Sequence, residues 1–383
     1  MRASFLFGIF SLVFFGVGPS LAGPSVLRSY TNPDEVYILN GKMDSAASSD
    51  CEEVDLNKDK DSPFRKIPIY DQDGVGLCNS YATSQVIDYY RFSHGDKSYD
   101  LTNPVYAAWV TYYQDPTYFK KDSLNKGGLQ KPVADALRKN GVCSNAEVQQ
   151  KLKGMSQLGG GLTEPEILNF LETMYKHFHG IFSSKNWSEA LNEVADSSHI
   201  TCQQQKSFIR ALQQEGLFAV APTVVLQDMF KGCRPHKVNV PEMTSYTVGT
   251  DQTMGEMVTS SFKKRQPVAA SICASTFEDP GYRGLKGNLP PFNRGALGNA
   301  KSDCGPHAVV FSGQASISGT CHYLVRNSHG ARWRPAGATG CACITNSGQY
   351  KQLCSDKEAA ELVGCWFQRK AMLANTWSVD VFE

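Results

Sequence analysis

The chain has no bias of charge. Its 38 lysines and arginines nearly cancel 37 aspartates and glutamates, leaving +1, and no basic block interrupts that balance. The electrostatic footprint of a nucleic-acid binder, or of a protein held on an anionic membrane, is therefore missing. After residue 22 no apolar run reaches the ~18 residues a membrane-spanning helix needs, so no stable membrane insertion is expected. No repeat recurs along the chain, which excludes solenoid and propeller arrays.

What is present begins with a leader. Arg2 gives a positive start, Phe5 to Val17 is almost wholly apolar, and Ser20-Leu21-Ala22 suits a small-residue cleavage site. This pattern predicts a secretory signal peptide cut after Ala22, and hence a secreted or periplasmic protein. Residues 23–62 form a polar arm, rich in Ser, Asp, Glu and Lys between Asp44 and Asp61, with Cys51 as the point where it could be strapped down. The remainder, 63–383, exceeds the usual size of a single core, so two subdomains or one domain with an insertion are expected.

Cysteine is abundant, with twelve in the chain, and an oxidising compartment turns most of them into disulfides. If Cys78 is set apart for the reasons below, the rest are odd in number. Cys273, within the apolar run Val268 to Ala274, is the expected buried free thiol. Cys341, Cys343, Cys354 and Cys365 offer either disulfides or a zinc site. Disulfides are favoured, because no histidine stands at ligand spacing nearby. Neither a metal nor a cofactor is expected.

Hydrophobic periodicity organises the rest. Ala82, Val86, Ile87 and Tyr90 recur at helical spacing behind Cys78, and further helices are expected over Pro104 to Tyr113 and Pro132 to Lys139, the latter ended by Gly141. Thr163 to Glu166 reads as a capping box ahead of a stripe through Ile167, Phe170, Leu171, Met174, Tyr175 and Phe178. It marks a helical insertion over about 155–215. Beyond Gly216 the texture changes to Val- and Ala-rich strands: Leu217 to Leu226, Val268 to Ala274, Ala308 to Phe311, Tyr323 to Arg326, and a last one over Ala371 to Val381. Helices first and strands later predict an α+β protein of two lobes.

The chemistry-bearing residues sit at element boundaries. Cys78 closes a polar, glycine-bearing loop and opens a helix, where the positive end of the helix dipole favours thiolate over thiol. Far downstream come His307, before Ala308-Val309-Val310, and Asn327 in Asn327-Ser328-His329-Gly330. A cysteine, a histidine and an asparagine in that order supply a nucleophile, a proton carrier and an orienter for the imidazole. Gln72, shortly before the cysteine, adds an amide donor for an oxyanion.

These islands resemble the papain-like cysteine peptidases, whose pattern has a glutamine and a cysteine at a helix start, His-Ala-Val on a strand and Asn-Ser-Trp-Gly after it. Two more islands match in order: Lys126-Gly127-Gly128 with the helix through Ala134 to Asn140, and the strand from Arg265 to Ser271. The resemblance implies a papain-like two-lobed fold, with a helical left lobe and an antiparallel β right lobe. It implies hydrolysis of peptide bonds through an acyl-enzyme at Cys78, with His307 as general acid and base, Asn327 as orienter and Gln72 as oxyanion donor. The resting pair would be thiolate and imidazolium. Gly127 and Gly128 would hold a peptide or protein substrate, and the helical insertion would govern access or dock a protein partner. The family tryptophan is His329 here, so the aromatic shield over the Asn–His bond is reduced, while Trp333 keeps a second tryptophan position. Two other readings of the same residues stay open: a papain-like binding protein with impaired turnover, and an acyl transferase or amidase.

Overall fold

The computed structural model describes residues 51–72, 77–98, 100–113, 130–148, 150, 230, 233–247, 254–274, 277, 306–331 and 333–383. The expected signal peptide, the paired glycines Gly127 and Gly128, and the helical insertion 155–215 lie outside the described residues. All of the described residues fall in one unit, 38–383.

The architecture is α+β. Strands β1 (Val54–Asp55), β2 (Met243–Thr247), β3 (Val268–Cys273), β4 (Pro306–Ile317), β5 (Thr320–Arg326), β6 (Gly340–Thr345), β7 (Tyr350–Lys351), β8 (Ala359–Gln368) and β9 (Thr376–Phe382) form one sheet. Its order is β2-β9-β3-β4-β5-β8-β6-β7, with β1 added alongside β4. Every pairing is antiparallel. The helices are α1 (Cys78–Ser93), α2 (Pro104–Tyr113), α3 (Gln130–Asn140), α4 (Met254–Lys263) and α5 (Arg369–Ala374).

β3 has no polar–apolar alternation because it is covered on both faces; all six residues are buried. β5 shows the period of two. Tyr323 and Val325 enter the core shared with α1, whereas Leu324 joins Ala342, Val363 and Trp366 on the other face. α1 is unusual in being buried along most of its length while carrying Asn79, Ser80, Thr83, Ser84, Gln85 and Asp88. Small side chains let it pack closely, and several polar groups find partners. Thr83 donates to the carbonyl of Asn79 at 2.7 Å, and Asp88 takes the N–H and hydroxyl of Thr102 at 2.8 and 2.6 Å. Such partners lower the cost of burying a polar group.

Residues 51–62 of the polar arm are built into this body. β1 pairs with β4, Leu56 is buried, and Cys51 is bonded to Cys321 on β5. Gly313 permits that pairing: a Cβ there would lie 2.7 Å from the carbonyl oxygen of Val54. The cysteine-rich C-terminal region resolves as disulfides, Cys341–Cys365 and Cys343–Cys354, rather than as a zinc site. A fourth bridge joins Cys143 to Cys233.

Two expectations are corrected. Cys273 is disulfide-bonded, not a free thiol; an odd cysteine count shows that one is left over without showing which. The last strand does not start near Ala371. Arg369–Ala374 is helical, as suits a run of Arg, Lys, Ala, Met and Leu, and the strand begins at Thr376, where β-branched residues take over.

Candidate active site

Cys78 is the first residue of α1, behind a cap at Leu77 whose carbonyl takes the N–H groups of Ser80 and Tyr81 at 2.9 and 3.1 Å. The earliest amides of a helix have no intrahelical acceptor. The backbone N–H groups of Ala308 on β4, of Asn79 and of Cys78 itself all lower the pKa of the Cys78 thiol, and the first belongs to the residue after His307. Cys78 is also the only free cysteine among the described residues.

His307 enters the site from β4, held in register by pairing with Ile272 of β3. Its Nε2 lies 2.6 Å from Oδ1 of Asn327, the residue that follows β5. The same Oδ1 accepts the N–H of Ser328 at 2.8 Å. A backbone N–H can only donate, so that atom is the amide oxygen and His307 Nε2 carries a proton. In the neutral ring Nδ1 is then the basic nitrogen, and it has no hydrogen-bond partner among the described residues. Asn327 therefore fixes both the orientation and the tautomer of the imidazole.

Gln72 is placed by a short antiparallel bridge. Its N–H donates to the carbonyl of Ser328, and the N–H of Gly330 donates to that of Tyr70, both at 2.9 Å. Gly330 has φ +81°, and a Cβ there would fall 2.7 Å from Oδ2 of Asp71. The positive φ favours glycine, while the nearby oxygen is the end of a side chain that could move aside. The hydroxyl of Ser328 also donates to Oε1 of Gln72. Gln72 is thereby linked through Ser328 to Asn327 and His307, and these three residues and Cys78 are all buried.

Aromatic rings pack beside the imidazole. Phe277 meets it edge-on at 5.9 Å and Trp333 at 4.8 Å, and exposed His329 lies 5.0 Å from the His307 ring and 5.6 Å from Trp333. Phe277 and His329 thus both lie against the His307 ring. No sequence signal marked Phe277, and Ser328 was read only as part of the run Asn327-Ser328-His329-Gly330.

Burial sets the electrostatics. It pushes the Cys78 thiol up to about 11, against the three N–H donors that pull it down. It also drives His307 down to about 4, offset in part by the Asn327 bond and reinforced by His329. Both shifts work against the expected resting thiolate and imidazolium. Desolvation of two buried groups outweighs the helix terminus. The one group among the described residues with metal-ligand spacing is Cys143, Glu147 and Cys233; its two sulfurs are bonded to each other, and a disulfide offers no thiolate ligand.

Solved structures similar to this chain include one concerned with the mite allergens Blo t 1 and Der p 1, at 13% identity over 86% of this chain and 70% of that one, TM-score 0.39. Digestive procathepsin L 3 of the Tenebrio molitor larval midgut matches at 10% identity over 82% and 69%, TM-score 0.34. PepW of Lactobacillus rhamnosis HN001 matches at 10% over 86% and 81%, TM-score 0.40. The likeness is to papain-like cysteine peptidases. No protein-family model and no curated protein matches the chain. At these identities and scores no residue role is carried across, and the chemistry is read from this chain's own side chains.

Proposed function

We propose that this protein is a secreted or periplasmic cysteine peptidase that hydrolyses peptide bonds through an acyl-enzyme at Cys78. Two observations support the reading: an imidazole whose tautomer Asn327 fixes, and a free thiol at a helix start whose pKa the backbone N–H of the residue after His307 pulls down. Disulfides fit an oxidising compartment, and no helix among the described residues is long and apolar enough to cross a membrane.

The proposed cycle follows from the tautomer. Nδ1 of His307 takes the Cys78 proton as the sulfur attacks the substrate carbonyl carbon, so the ion pair forms during reaction rather than at rest. The carbonyl electrons move to oxygen, where the Gln72 amide and the Cys78 N–H stabilise the charge; a donor of this kind is worth about 2.7–4 kcal/mol in the transition state. The imidazolium gives its proton to the leaving amine, the C–N bond breaks, and a thioester remains. His307 then deprotonates a water that attacks the thioester, releasing acid and restoring the thiol.

A peptide-library digest comparing wild type with Cys78→Ala tests this, with mass analysis of products in the presence and absence of an added amine. New carboxyl termini from wild type alone support hydrolysis. Amide products would instead indicate acyl transfer, and equal, null digests from both proteins would leave a binding role.

A further inference from the structure

We propose that Arg326 is the positioning residue of this site, a single guanidinium that holds the Gln72 segment and the Cys78 helix in register with Asn327. The inference rests on the peptidase reading above and deepens it. Arg326 is 1% exposed and immediately precedes Asn327. Its Nε donates to Oε1 of Gln85 at 3.1 Å. One terminal nitrogen donates to Oδ1 of Asn57 at 2.9 Å and to the carbonyl of Val363 at 3.3 Å. The other donates to the carbonyls of Ile67 at 2.7 Å and Pro68 at 3.3 Å. The fork lies over the Phe64 ring, 4.3 Å from its centroid.

None of those acceptors is a carboxylate; Glu361 and Asp55 favour the cation only through space and offset part of the cost of burying it. Burial pulls its pKa down to about 9, which leaves it charged at neutral pH. An apolar side chain of similar volume would fill the space without a desolvation penalty. What only arginine supplies is a rigid planar set of donors, and the acceptors lie on separate segments. Gln85 is two turns from Cys78 on the same helix, hence on the same face. Ile67 and Pro68 lead into Tyr70 and Gln72. Val363 belongs to β8, and Asn57 to the N-terminal arm. The three parts of the site are thus referred to one fork.

The test reads the pH profile of Cys78 alkylation by iodoacetamide, followed by mass spectrometry in the folded protein, which needs no turnover. In wild type the sulfur reacts with its proton passed to Nδ1, so reactivity should persist well below pH 7. In Arg326→Lys and in the milder Gln85→Met, which keeps volume and cuts the link to α1, the low-pH limb should fall at least tenfold and the profile move towards an ordinary thiol near 8.5. Gln85→Met carries the test if Arg326→Lys does not fold. Val258→Ala, a core change in α4, controls for loss of stability and should leave the profile unchanged. Variant profiles that coincide with wild type, or an equal shift in Val258→Ala, overturn the positioning role. An ordinary-thiol profile in wild type itself would overturn the Cys78–His307 reading instead.

Discussion

The side chains of Ser328 and Gln72 are bonded to each other, the serine hydroxyl donating to Oε1 of the amide. With the oxygen held there, Nε2 is the end of Gln72 that can meet a developing oxyanion. Gln72→Ala should lower kcat by about 10²–10³ with little change in KM. Ser328→Ala, which lets the amide rotate, should lose about tenfold, the equivalent of one modest hydrogen bond. Steady-state kinetics on a fluorogenic peptide separate the two effects.

His307 gives two pH signatures. In the fold it protonates at about 4, against about 6.5 in the unfolded chain. Between those values the unfolded chain binds more protons, so stability complete above pH 6.5 is lost as pH falls towards 4. His307→Gln removes that component, and its melting temperature should depend less on pH over this window. In wild type, kcat/KM should fall as pH drops through about 4, where Nδ1 becomes protonated and can no longer accept the thiol proton.

Asp380 predicts the opposite slope. It sits in β9 between β2 and β3, accepts a hydrogen bond from Ser245, and burial pushes its pKa up to about 7. The unfolded carboxyl ionises first as pH rises from about 4, so this group withdraws stability up to pH 7. Asp380→Asn should therefore stabilise the protein, with a gain that grows between pH 4 and 7 and then levels off. Thermal unfolding across that range would show it; a gain independent of pH would contradict the account.

The Cys51–Cys321 bridge ties the arm to β5 across 270 residues of chain. Replacing both cysteines by serine should destabilise the protein by about 2–4 kcal/mol, with β1 detaching first. Hydrogen exchange at Val54 and Leu56 reports that detachment directly.

How much of this was legible in the sequence depends on how local the signal was. The helix behind Cys78 and the helix from Pro104 to Tyr113 were readable because a loop, a proline and an apolar repeat lie side by side. The strands around His307 and Asn327 were readable from their Val-rich runs, although β4 extends to Ile317. β6 and β8 were not, because glycine and cysteine dilute their strand character and their pairing is non-local. Arg326 gave no signal, since an arginine ending a strand usually faces water and its acceptors are scattered between Asn57 and Val363. The burial of Cys78 and His307, which works against a charged pair, gave no signal for a related reason: helix position is visible in sequence, whereas depth of burial is not.

The most direct measurement of the central claim is capture of the nucleophile. Folded, reduced-site protein is incubated with a peptidyl vinyl sulfone, and the adduct is located by mass spectrometry. One label per chain, on Cys78, abolished when His307 is replaced by Ala, is the predicted result. An unlabelled Cys78 in wild type that reacts with iodoacetamide only after unfolding would contradict the account.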